Sequence, residues 1–213
     1  PTWAFEFHGF SHVNLLLVRD SDSSDDTAAA LGAERVDAAD RGSFAIGGFD
    51  LFANHEIDER ASFLGEVQLE TDESGEAVLD IERLQVTYAW SDAWKAGAGR
   101  VHNPIGYWNT TFHHGLALAT SADRPDYLEF EDDGGILPTH AVGFFVEGVR
   151  TIGSTRFEYQ ALLYNGSRFE GGGLSPNAGG DDSDEKAFTV DLRIRPHALP
   201  LVVGVSAATT RYR

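Results

Sequence analysis

Four histidines, His102, His113, His114 and His140, fall inside or at the ends of one long segment of this chain. Imidazoles combined with a carboxylate such as Asp126 have the donor chemistry of a transition-metal site. No pair among them has a diagnostic ligand spacing, however, so they read as polar loop surface and no metal is expected. Serine hydrolysis needs a serine held against a base, but no G-x-S-x-G occurs and nothing marks Ser11, Ser121 or Ser206 as activated. DSDSSDD (residues 20–26) and GGDDSDE (residues 179–185) are rich in hard oxygen donors. Neither has the spaced ligands and closing glutamate of a calcium loop, so both read as solvated. The chain is therefore expected to be neither an enzyme nor the holder of a cofactor.

The remaining ionic residues suggest a different chemistry. Glu6, His8, Glu66, Glu70, Arg83, Arg100, His102, Glu158, Asp191, Arg193 and Arg195 all fall on the polar phase of alternating stretches. FTVDLRIR (residues 188–195) is the cleanest: Phe188, Val190, Leu192 and Ile194 point one way, and Thr189, Asp191, Arg193 and Arg195 the other, because successive strand side chains lie on opposite faces. Recurring in long strands, an oily face backed by a charged one predicts a membrane-spanning barrel with a wet lumen, whose pore-lining candidates are these ionic residues. Carboxylate rings favour cations and arginine rings favour anions; the overall acidity favours cations or neutral solutes. The competing role for any one of these charges is a cross-strand pair stiffening the wall, worth roughly 0.2–1 kcal/mol.

The elements that must position these residues are strands. Alternation places about nine of them, at 3–18, 44–54, 62–70, a stretch ending at 90, 95–102, 142–150, 157–164, 188–195 and 201–211. Long loops are expected near 20–42, 103–140 and 165–185, the first containing an alanine-rich stretch suited to a short helix. The intervening connections EIDERA, SDAW, TIGST and PHALP are tight, and of the other set only TDESGE is short. Long loops at one end and tight turns at the other are the habit of outer-membrane barrels. The fold expected is thus all-β, an antiparallel up-and-down transmembrane barrel in one domain. Such single-chain barrels have an even strand count. Nine strands ending in TTRYR, with no aromatic closing residue, are therefore read as the N-terminal part of a larger one.

Composition bounds the alternatives. The 213 residues contain 34 acidic and 16 basic side chains, for a net charge of −18, with Lys95 and Lys186 the only lysines. A surface of that sign repels nucleic acid, so none is expected as a partner. There is no cysteine, which excludes disulfides and thiolate metal sites. No apolar run approaches the roughly 20 residues a membrane helix needs, whereas a barrel strand crosses with about 9–11 residues, half of them polar.

One segment has a resemblance. AGRVHNPIGYWNTTFHHGLALATSADRP (residues 98–125) resembles the part of porin-like bacterial outer-membrane proteins, including relatives of the phosphate-selective porins, in which a strand closes with Gly-Arg, a Pro-x-Gly follows and a long loop folds inward. Gly99, Arg100, Pro104 and Gly106 hold those positions. The resemblance implies an outer-membrane channel for passive diffusion of small hydrophilic solutes, with the inward loop narrowing its lumen, the lipid bilayer as its surroundings and a homo-oligomer as a common assembly. Phosphate selectivity is not carried over, because the phosphate-selective members line their route with basic residues and this chain is acidic. The alternative is a β-barrel that does not transport: a soluble ligand-binding barrel, or a membrane scaffold or adhesin.

Overall fold

The computed structural model describes residues 4–17, 42–71, 77–112, 137–170, 173–176 and 186–209. Nine strands form one antiparallel sheet: β1 (Glu6–Leu17), β2 (Gly42–Glu56), β3 (Ala61–Thr71), β4 (Ala77–Ser91), β5 (Trp94–His102), β6 (His140–Ile152), β7 (Thr155–Asn165), β10 (Lys186–Pro196) and β11 (Val203–Thr209). Each pairs with its sequence neighbour in the sheet, the up-and-down order that alternation and tight turns imply. Among the described residues β1 pairs only with β2 and β11 only with β10, so these nine strands do not close into the expected barrel.

Two elements were not legible as such. The expected loop near 165–185 contains a separate antiparallel pair, β8 (Ser167–Glu170) and β9 (Gly173–Pro176). The long segment after β5 opens with one short helix, α1 (Gly106–Thr111). The alanine-rich stretch read as a short helix lies outside the described residues.

Register aligns the two chemistries in rows. Val86, Ala98, Phe144, Leu163 and Phe188 are successive cross-strand partners through β4, β5, β6, β7 and β10. Three residues away along each strand, and so on the opposite face, Lys95, Glu147, Gln160, Asp191 and Ser206 are partners from β5 to β11. The apolar face is the exposed one: Phe144 is 71% and Val205 64% accessible, and Phe7, Leu79, Trp90 and Leu192 are exposed as well. Acidic groups are among the buried residues, with Glu66 1% and Asp191 3% accessible. The inner face is not uniformly polar, because Phe145, Leu162, Tyr164 and Ala187 form a small apolar cluster there with Val101 and Ala141. Gly97 makes room for it: a Cβ at that position would collide with the Phe145 ring.

A bulge interrupts β4. Glu66 pairs with Arg83 but Val67 pairs with Ile81, leaving Glu82 as the extra residue. Such an insertion turns two successive side chains toward one face and re-aims the strand. Ile81 and Leu84 consequently both remain exposed, while Glu82 is buried.

The tight turns have local causes. Gly153, with φ of +60°, takes the left-handed conformation that the β6–β7 reversal requires. In the β2–β3 turn the backbone amides of Arg60 and Ala61 donate to Asp58 Oδ1 at 2.7 and 2.8 Å. The amide of Arg60, then that of Ala61, holds the Asp58 carboxyl below its ordinary value of 3.8. With a depressed folded pKa, this capping is complete above the ordinary value and is lost as pH falls through the lower one. Asp58 should therefore titrate below 3.8 when followed by NMR. Asp58→Ala should speed amide exchange at Arg60 and Ala61 while leaving β6, β7 and β10 unchanged.

Candidate functional site

The site is the inner face of β5, β6, β7, β10 and β11 together with α1, which lies across it. Arg193 on β10 is the clamp. Its Nη2 donates to Gly106 O at 3.1 Å and to Thr110 Oγ1 at 2.8 Å, and its guanidinium sits 5.5 Å from the centre of the Tyr107 ring. Its Nε lies 2.6 Å from Asp191 Oδ1 on the same strand. Ser206 on β11 donates to Asp191 Oδ2 at 2.5 Å and accepts from the Gly106 amide at 2.9 Å. Helix α1 is thus tied to the strands three and four places from β5 in the sheet, with Asp191 and Arg193 on the face that alternation gave them.

The ends of the long segment are closed on one another by Asn109. Its Nδ2 donates to Asn103 O at 2.7 Å and Thr139 O at 3.0 Å, and the Asn103 amide donates to Thr139 O at 2.8 Å. Asn109, Asn103 and Thr139 are all fully buried. Two polar cavities flank α1. One, of about 250 Å³, is lined by Lys95, Thr110, Glu147, Glu158, Gln160 and Arg193. The other, of about 290 Å³, is lined by Arg83, Gln85, His102, Thr110, Phe145 and Glu147.

The residues expected to line a lumen divide by position. Asp191 and Arg193 hold α1, and Arg193 and Glu158 face the first cavity. Glu158 also meets Arg156 at 2.6 Å and Arg195 at 3.9 Å. Arg83 pairs with buried Glu66 and lies over the Phe52 ring, and Arg100 is 3.7 Å from Asp80. These are the wall-stiffening pairs weighed above. Glu6 and His8 lie together on the edge strand β1, exposed and 3.9 Å apart. The side chain of Glu70 lies outside the described residues, as do His113, His114 and Asp126. Of the aromatics near strand ends, Trp90, Trp94 and Phe144 are exposed, whereas Phe145 and Tyr164 are buried in the inner cluster.

On this face Glu82, Glu147 and Gln160 were not singled out from sequence, and Ser206 was weighed there only as a nucleophile. Glu147 and Gln160 bond to each other at 2.9 Å, and Ser206 completes the α1 anchor. Glu82, His102 and His140 bring their donor atoms within 4.8 Å of one another. His102 and His140 are direct cross-strand partners on β5 and β6, and Glu82 comes from the β4 bulge. The signal for Glu82 was present in I-E-R-L, where two charged residues stand between apolar ones and break the alternation. His140 was visible only as a loop histidine, because its strand was read as starting at 142.

No protein-family model, no curated protein and no solved structure matches this chain.

Arg193→Ala is expected to destabilise the protein by roughly 3 kcal/mol, since it leaves Asp191 buried without its cation. The denaturant midpoint measures this, and faster proteolysis within 106–111 should accompany it.

Proposed function

We propose that this sheet is wall of a membrane-spanning β-barrel channel of a bacterial outer membrane, through which small hydrophilic solutes diffuse past the inward segment α1. The observation that carries the reading is the inversion of the two faces. Placing a side chain such as Phe144, Leu79 or Val205 in water rather than in an apolar medium forgoes about 1.5–3 kcal/mol each. Here such residues line the exposed face in continuous rows, while Asp50, Glu66 and Asp191 are buried. A hydrocarbon exterior reconciles the two, and an all-β wall can sit in it because the ladder satisfies the backbone.

Two features agree with that setting. Tyr88, Trp90 and Trp94 are exposed around the tight β4–β5 turn, with Tyr159 beside them at 5.8 Å from Trp94, the placement favoured at a membrane interface. Segment α1 crosses the inner face on bonds to β10 and β11, as a constriction would. The proposed lumen would close across β1 and β11, the edges of the sheet among the described strands. The inner charges Lys95, Glu147, Glu158, Asp191 and Arg193 mix both signs, which suits neutral solutes and weak cation preference over strong anion selection.

A second reading has its own support. The buried cluster of Phe145, Leu162 and Tyr164 lies on the inner face, so the same wall could surround a plugged interior and serve as a membrane scaffold without transport.

Planar bilayers distinguish them. The chain refolded in detergent should give discrete conductance steps, and a salt gradient should give a small reversal potential of the sign for cations. Arg193→Ala, by releasing α1, should raise single-channel conductance about twofold or more, since electrostatic and steric narrowing at a constriction sets pore throughput. Silent bilayers with folded, inserted protein would favour the scaffold. A folded chain that stays monodisperse without detergent would refute the membrane setting.

A further inference from the structure

We propose that Glu82, His102 and His140 form a binding site for a divalent first-row transition-metal ion, with zinc as the simplest occupant. The three residues come from adjacent strands, and the donor atoms already lie within 4.8 Å of one another. Two imidazoles and one carboxylate form a recognised ligand set for zinc and for other borderline metals, one that leaves a coordination position open. Imidazole donors select against calcium and magnesium, which favour oxygen.

The local geometry supports an ion in three ways. Glu82 and His140 have almost fully buried side chains, and Glu82 Oε2 lies 2.5 Å from His140 Nε2. In a tetrahedral zinc site with bonds of about 2.0–2.1 Å, two ligand atoms stand roughly 3.3 Å apart. Binding therefore exchanges one hydrogen bond for two coordinate bonds with a movement of under about 1 Å. Second, Thr139 Oγ1 lies 3.5 Å from His140 Nδ1, on the ring edge away from Glu82. That partner leaves Nε2 directed at the carboxylate, the orienting role that outer partners play for metal-bound histidine. Third, His102 is part-buried and lines the cavity of about 290 Å³, which supplies a polar route to the site and room for a water or solute ligand.

Sequence placement adds a consequence. His102 and His140 are the terminal residues of β5 and β6, and the Asn103–Thr139 backbone bond sits immediately beyond them. An ion held here would fasten β4, β5 and β6 where the long segment leaves and rejoins the sheet. The inference holds whether the wall encloses a channel, a plug or a soluble interior.

The test is equilibrium binding of Co²⁺ and Zn²⁺ to the folded, detergent-solubilised chain. With a net charge of −18, weak binding to surface carboxylates is certain, so the readout is the visible d–d spectrum of Co²⁺ and its displacement by Zn²⁺. One Co²⁺ per chain should give the intense bands of four- or five-fold coordination, removed by one equivalent of Zn²⁺. His102→Gln and His140→Ala should each weaken binding by at least about tenfold, since even loss of an outer partner costs 10–100-fold; Glu82→Gln should weaken it similarly. Because His140 is buried, its variant can fail to fold, and the part-buried His102 variant then carries the comparison. Zn²⁺ should also raise the thermal midpoint of the parent chain but not of His102→Gln. Equal Co²⁺ spectra and affinities for parent and folded His102→Gln would overturn the site, as would a parent spectrum indistinguishable from hydrated Co²⁺. Neither result depends on conductance, so the channel reading stands or falls separately.

Discussion

Desolvated charge is the constraint around which this sheet is arranged. Asp50, Glu66, Glu82 and Asp191 are all buried, and a carboxylate removed from water is tolerable only when cations or donors face it in good geometry. Each solution uses strand register. Glu66 meets Arg83 because the two are cross-strand partners, and Asp191 meets Arg193 along one strand and Ser206 across the next. Glu82 meets His140 because a bulge rotates it onto the same side. Once these groups occupy the inner face, the two-residue period of a strand turns the side chains that alternate with them to the outer one.

The same charges then fix the long segment. Most side chains of α1 offer little apolar area to bury, and a helix of this length is not stable by itself. It is held by Arg193, which bonds both Gly106 and Thr110, by Ser206 at Gly106, and by Asn109 bridging Asn103 and Thr139. The inner face therefore performs two tasks at once. Its ion pairs make the wall rigid, and what remains of their donor capacity anchors the segment that divides the space into two cavities. This dual use explains why residues expected to act as free pore charges are mostly engaged with neighbours.

Strand identity and facing were legible from residues alone. All nine stretches of alternation appear as strands of the main sheet, and the phase of FTVDLRIR is the one observed: Ala187, Thr189 and Asp191 are buried while Phe188, Leu192 and Ile194 are exposed. The tight turns were equally legible, because Asp58 and Gly153 act through bonds and dihedrals local to a few residues. Closure of a barrel is absent from these nine strands, and of the loop expected between 103 and 140 only the two ends, 103–112 and 137–140, lie within the described residues.

What alternation could not supply was anything depending on which strands lie side by side and in what register. Alternation alone does not show that Phe145 and Tyr164 join a buried cluster on the inner face, where Gly97 admits the Phe145 ring. The His102–His140 pairing joins residues far apart in the chain, and Glu82 reaches them only through an inserted residue in β4. Period-two patterning specifies which face a side chain occupies, since that follows from the backbone of one strand. Its neighbours on that face are set by hydrogen-bond register between strands, which only the assembled sheet decides.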